Sequence, residues 1–186
     1  MTGCAGKKKQ NPGKLPVDTT TIAATIGDTI IGVSGTEQPV VTGKEIVINT
    51  VQPDSLIGFA RTLVGIPYLY ASDDPRKGFD CSGFITYVFN HFNIAVPRSS
   101  VDFTNFGKEV VIEKTKPGDL ILFTGTDSTS HIVGHMGIVE NVKDDTLRFI
   151  HSTSGNAKGV VISPLGDYYK KRFVKVIRVF PDEFFN

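Results

Sequence analysis

The chain has 186 residues and a mass of 20.2 kDa, which gives room for one domain with an appendage rather than for two full domains. Counting glycine with the apolar residues and leaving tyrosine out, about 47% of the chain is apolar, inside the globular range of roughly 45–50%, and 20 Lys and Arg against 19 Asp and Glu leave a net charge of +1. These values exclude a disordered chain, a collagen, a coiled coil and a basic nucleic-acid binder, and no run of 18 or more apolar residues is present to cross a bilayer as a helix.

The start Met1-Thr2-Gly3-Cys4, followed by Ala5-Gly6 and three lysines, has the form of the end of a bacterial lipoprotein signal, in which a small residue precedes the lipidated cysteine. It predicts membrane attachment through Cys4. The segment up to residue 16 has the Lys, Gln, Asn, Gly and Pro composition of a flexible tether. Residues 17–51 are rich in Thr, Ile and Val with glycines at 27, 32, 35 and 43, and read as a short β-rich segment or linker. The periodicity changes at Val51, so the main domain is expected over residues 52–181.

Pro53-Asp54-Ser55 signals a helix start, and Leu56, Phe59, Ala60, Leu63 and Val64 follow at helical spacing with Gly65 as the stop. After a Gly-, Asp- and Pro-rich loop over 71–78, a second helix is predicted from about Asp80, with Cys81, Phe84, Ile85, Val88, Phe89 and Phe92 on one face. A short third helix follows Pro97 and ends at Gly107. From there the period is two, predicting strands Val110–Glu113, Asp119–Phe123, His135–Asn141, Leu147–Ser152, Gly159–Ile162 and Phe173–Phe180. Helices first and strands after predict an α+β fold with an antiparallel sheet.

Cys81 is the candidate nucleophile. At the first turn of a helix, unpaired N–H groups and the helix dipole favour a thiolate, although a free cysteine is as often a small buried apolar residue. A thiol nucleophile needs a base, and the base needs an orienting partner. Four histidines are available. His91 is ten residues along the helix from Cys81, roughly 15 Å away, and is too far. His131 is in a Thr-, Ser- and Asp-rich loop. His135 opens one strand and His151 closes the next, and a hairpin centred on Lys143 sets them side by side. A zinc pair made of His131 and His135 fails on spacing, since Gly134 disfavours a helix and four strand residues span about 13 Å. No metal or other cofactor is expected, and neither a phosphate-binding loop nor a serine-hydrolase elbow occurs.

Six segments in order resemble one family: Gly65-Ile66-Pro67-Tyr68, Gly78-Phe79-Asp80-Cys81-Ser82-Gly83-Phe84, Val96-Pro97-Arg98-Ser99, Lys116-Pro117-Gly118-Asp119-Leu120, Gly134-His135-Met136-Gly137-Ile138-Val139 and Phe149-Ile150-His151. Over residues 52–180 the chain resembles the NlpC/P60 cell-wall cysteine peptidases. The resemblance implies a papain-like fold with N-terminal helices packed on an antiparallel sheet. It also implies hydrolysis of the amide between γ-D-glutamate and a diamino acid in peptidoglycan stem peptides or muropeptides, without a cofactor, in the bacterial cell envelope. On that basis Cys81 is the nucleophile, His135 the base, His151 its orienting partner, and Tyr68 a hydroxyl beside the sulfur. Asp80 and Ser82 contact a free peptide amino terminus in some relatives, and Arg98 falls in the same substrate-binding group, with the alternative that Asp80 is a helix cap and Arg98 a surface charge. Tyr70 stands where the family often has Trp, and residues 17–51 are too few for the N-terminal SH3-like module of relatives specific for free peptides. An amidase or acyltransferase on the same scaffold, or a silent wall-binding lipoprotein, are the rival expectations.

Overall fold

The computed structural model describes residues 51–185 apart from 128, 144 and 145. Cys4, the tether and the β-rich stretch expected over 17–51 lie outside the described residues, Val51 excepted. In chain order the elements are α1 (Pro53–Thr62), β1 (Asp73–Asp74), β2 (Gly78–Phe79), α2 (Cys81–His91), β3 (Lys108–Val110), β4 (Leu120–Thr124), β5 (Val133–Lys143), β6 (Thr146–Thr153), β7 (Gly159–Pro164), α3 (Asp167–Lys170) and β8 (Phe173–Arg178). Three short 3₁₀ segments lie at Ser100–Asn105, Ile112–Lys114 and Asp182–Phe185. The six strands β3 to β8 form one sheet in the order β3-β8-β4-β5-β6-β7, with every neighbouring pair antiparallel. The α+β class is as expected, and among the described residues no helix is long and apolar enough to cross a membrane.

Helix α1 starts with Pro53 at its first position, where the missing N–H costs nothing. Its buried stripe is Leu56, Ile57 and Ala60, continued by Leu63. Val64 was expected on that stripe but is 45% exposed, because the helix ends at Thr62 and the chain turns away before Val64 can complete the face. Helix α2 buries Phe84, Ile85, Val88 and Phe89 completely. The two helices, with Phe79, Ile94 and Phe103, pack on one face of the sheet through Leu120, Leu122, Met136, Ile138, Ile150 and Ile177.

The alternate residues Ile121, Phe123, Val139, Phe149 and Val176 point the other way and form a second, smaller cluster, covered by Leu165, Tyr169 and Phe173. A sheet buried on both faces needs apolar residues at consecutive positions, and all five residues of β4 are buried. The strand expected at Val110–Glu113 is instead Lys108–Val110 followed by a 3₁₀ segment. Those three residues find partners on β8, whereas Val111 and Ile112 have none and are exposed. β-branched text alone does not make a strand where no ladder is on offer.

Candidate active site

The sulfur is placed by a chain of local constraints. Asp80 caps α2, its carboxylate accepting the N–H of Gly83 at 2.6 Å, and Cys81 becomes the first helical residue. Gly83 is pressed against the 72 carbonyl so closely that a Cβ would lie 2.1 Å from that oxygen. This glycine is therefore needed for close approach rather than for its dihedral angles. From the other side, Ser152 donates a hydrogen bond of 2.7 Å to the carbonyl of Phe79, two residues before Cys81. The neighbour of Ser152 is His151, so one hydrogen bond locks the approach to the Cys81 helix to the histidine strand. The Cys81 thiol itself is 3.8 Å from the carbonyl oxygen of Gly134, the residue before His135.

His135 and His151 meet as expected, with Nε2 of the first 2.9 Å from Nδ1 of the second. The register differs from the expected one. Ile138 pairs with Ile150 and Val139 with Phe149, so Gly137 lies opposite His151 and the two histidines are diagonal neighbours. A symmetric hairpin about Lys143 is two places off because the strands continue to Lys143↔Thr146 and a bulge falls between Val139 and Asn141. A shift of two preserves the face of every side chain, which is why the histidines still meet. Gly137 leaves the room for it: a Cβ there would fall 2.6 Å from the Phe149 ring and 3.1 Å from Cβ of His151. Beyond His151 the chain of contacts continues. Its Nε2 is 3.0 Å from the Ser163 hydroxyl and 3.4 Å from that of Tyr169.

Since Nε2 of His135 is taken by His151, Nδ1 is the nitrogen left free to exchange a proton with another group. If Nε2 carries the hydrogen and donates it to His151, Nδ1 is an acceptor, and His151 in turn donates from Nε2 to Ser163 or Tyr169. The three contacts are compatible with this set of tautomers. His91 stacks on Phe59 at 3.7 Å between ring centres, at the far end of α2, and His131 is exposed and lines neither cavity that reaches Cys81. Among the described residues no group of three metal-ligating side chains occurs.

Two cavities meet at Cys81. One, of about 530 Å³, is lined by Tyr68, Tyr70, Asp80, Ser82, Arg98 and Asp102 among others. The other, of about 210 Å³, holds His135 together with Tyr168, Tyr169, Arg172 and the 153–155 turn. Tyr68, Cys81 and Gly134 belong to both. A cavity of about 910 Å³ along the β3 edge is larger, but it contains neither the cysteine nor a histidine. Arg98 is not a free surface charge. It grips Asp80 with two hydrogen bonds of 3.0 and 2.9 Å, donates to Ser82 at 3.1 Å and approaches Asp73 at 3.6 Å. Asp80 is thus helix cap and cavity wall at once. Ser163, Tyr169 and Arg172 were not singled out by sequence reasoning, since they lie on later elements with no motif to mark them.

The electrostatics correct one expectation. Burial pushes the Cys81 thiol up to about 11 and the Asp80 carboxylate pushes the same way, while hydrogen bonds from the backbone N–H groups of Ser82 and Cys81 and the Arg98 charge pull back less strongly. Burial, with the charges of His151 and Arg172, lowers His135 to about 3. Burial alone brings His151 down to about 4. The helix terminus is outweighed by desolvation, and the resting pair near neutral pH is a thiol beside a neutral imidazole. Burial, then the neighbouring Cys81 and Asp80, also raise the Tyr68 hydroxyl, so that group stays protonated.

The geometry has counterparts elsewhere. The chain matches the NlpC/P60 family over residues 65–178. It is 32% identical to the gamma-DL-glutamyl hydrolase of Bacillus subtilis (strain 168) over 146 residues, 77% of this chain and 34% of that protein. It is also 32% identical to the murein DD-endopeptidase MepS/murein LD-carboxypeptidase of Escherichia coli (strain K12), over 56% of this chain and 51% of that one. The crystal structure of an NlpC/P60 family protein from Bacillus cereus ATCC 10987 superposes with a TM-score of 0.63 at 30% identity, covering 70% of this chain and 41% of the other. The chain thus spans between a third and about half the length of these relatives. Family match and fold agree, and this chain belongs to the NlpC/P60 family.

Proposed function

We propose that the chain is a cysteine endopeptidase that hydrolyses murein peptides, cutting the amide between the γ-carboxyl of D-glutamate and a diamino acid. The observation that carries this reading is that Cys81 and His135 line one cavity while His135 is oriented from behind by His151 at 2.9 Å. The names of the relatives point to γ-glutamyl and murein bonds.

In the proposed mechanism both partners start neutral, so the thiol proton passes to Nδ1 of His135 as the sulfur attacks the carbonyl carbon. The tetrahedral oxyanion is held by the Cys81 backbone N–H at the helix end. Collapse breaks the C–N bond, and the imidazolium returns its proton to the leaving amine. Water, deprotonated by the same nitrogen, then attacks the thioester, freeing the γ-carboxylate and restoring the thiol. Asp80, Ser82 and Arg98 would receive the amino-terminal side of the substrate, with Tyr68 at the junction. Its substrate places the enzyme in the bacterial cell envelope, where a lipid on Cys4 would tether it to a membrane surface.

Mass spectrometry of defined muropeptides tests the reading. The expected product set is a single scission on the γ-glutamyl bond by the wild type and none by Cys81→Ala. Scission between sugar and peptide would make the protein an amidase instead, and intact muropeptides with the wild type would leave a binding protein.

A further inference from the structure

The buried Arg172 and the half-buried Arg178 are treated differently by this fold. Arg178 is held by both oxygens of Asp119, at 2.8 and 2.9 Å, and by Asp182 at 3.0 Å. Arg172 is 9% exposed, yet among the described residues it has no carboxylate partner. Its Nη2 donates to the carbonyl of Thr124 at 2.8 Å, its Nη1 to the hydroxyl of Tyr168, and its Nε is buried with no partner at all. Both acceptors are neutral. A buried cation without a counter-charge is costly, and the Tyr168 ring, 5.0 Å from the guanidinium carbon, offsets only part of that cost. The cost falls in a particular place: Arg172 lines the cavity of about 210 Å³ that contains Cys81 and His135.

Which part of a substrate enters that cavity follows from the proton path. The leaving amine must receive its proton from His135, and His135 lines this cavity and not the one of about 530 Å³. The residue that supplies the amine therefore lies beside Arg172, while the acyl part occupies the larger cavity on the Asp80 side. We propose that Arg172 binds a carboxylate carried by the residue on the leaving-amine side of the scissile bond, which makes the enzyme selective for substrates with a free carboxylate there. This rests on the reading of the site as a γ-glutamyl endopeptidase. A guanidinium offers a planar fork suited to a carboxylate, and the exposed ring of Tyr168, 63% accessible, is the movable neighbour that would yield its place on Nη1. Pairing would have a second effect. The Arg172 charge is among the causes that depress the basicity of His135, so neutralising it makes the imidazole a better base when the right substrate is present.

The carboxylate has two sources, the α-carboxylate of the diamino acid or one on its side chain. Four synthetic peptides separate them: L-Ala-γ-D-Glu joined to L-Lys or to meso-diaminopimelate, each with the α-carboxylate free or amidated. With the wild type, the Lys peptide bearing the recognised group, or the α-amidated diaminopimelate peptide, is expected to exceed the Lys amide in kcat/KM by about 10- to 100-fold, the range for a hydrogen bond to a charged group. Arg172→Gln should shrink that ratio to near one, and Arg172→Lys should retain part of it. These are ratios within one protein, so partial misfolding does not move them, and the wild-type series stands alone if the variants do not fold. Cleavage of all four peptides at equal rates by the wild type overturns the carboxylate site while leaving the endopeptidase intact. An equal loss on all four in Arg172→Gln also overturns it, since the residue would then serve the fold or the oxyanion. Failure of the wild type to cut any of them overturns the endopeptidase reading itself.

Discussion

The two faces of the central sheet are built from alternate residues of the same strands and do different work. Toward the helices, β5 and β6 present Met136, Ile138 and Ile150, all fully buried and all apolar. Toward the other side they present His135 and His151 beside Phe123, Phe149 and Tyr169, in a smaller aromatic cluster. The helix-facing side supplies most of the apolar burial. The other face shields two imidazoles from water well enough to keep them uncharged, and leaves one edge of His135 open to the cavity. Strand alternation thus lets one hairpin carry both the main core and the histidine pair on opposite faces.

Substitutions three residues apart on β5 break this comparison most directly. His135→Ala should lower kcat/KM by about 10²–10⁴ with the thermal midpoint little changed, whereas Ile138→Ala should cost about 2–5 kcal/mol of stability with unchanged turnover per folded molecule. Rates and denaturant unfolding on both variants read the two effects, and a matched loss of rate and stability in each would mean that the faces are not separable.

Acid sharpens the same contrast. Both histidines have folded-state values below the ordinary 6.5, so the unfolded chain binds protons that the folded chain refuses. Stability is then full above about pH 6.5 and falls as pH drops toward the folded values of about 3 and 4. For the fully buried His151 this amounts to about 3 kcal/mol by pH 4. His151→Asn should flatten the pH dependence of the thermal midpoint between 6.5 and 4, and an unchanged slope would show that His151 is not the titrating group.

The smallest expected effect separates orientation from packing within the histidine pair. Asn at position 151 can offer an amide oxygen to Nε2–H of His135 and Ala cannot, so His151→Asn should retain a sizeable part of the activity and exceed His151→Ala by about tenfold, on the order of one well-placed hydrogen bond. Equal turnover by the two would remove His151 from the site and leave it as a packing residue.

Much of this was legible in the sequence, and for identifiable reasons. Cys81 announced itself through the cap at Asp80 and the close-packed Gly83, both local signals. The two histidines were legible because period two fixes their face even when the register is misjudged by two. What local text could not show was where the sheet's neighbours lie. Ser163 and Tyr169 reach His151 from β7 and α3 through long-range pairing, and Arg172 enters the cavity because β8 lies beside β4. The protonation state of Cys81 was also beyond reach, since a helix start can be recognised from sequence while the depth of burial that outweighs it cannot.

The bulge between Val139 and Asn141 has a consequence for how such a chain can change over generations. It lies between the turn of the hairpin and the histidine end, where β5 and β6 have already gained one extra residue on one side without reversing the faces beyond it. A lineage that lengthens or shortens the hairpin on the turn side of residue 139 disturbs only strand ends and loop. A single insertion between His135 and Val139 would turn the imidazole into the space of Met136 and abolish the site in one event. Changes of length are therefore accommodated at the tip, whereas the segment from Gly134 to Val139 admits none without turning His135 to the other face.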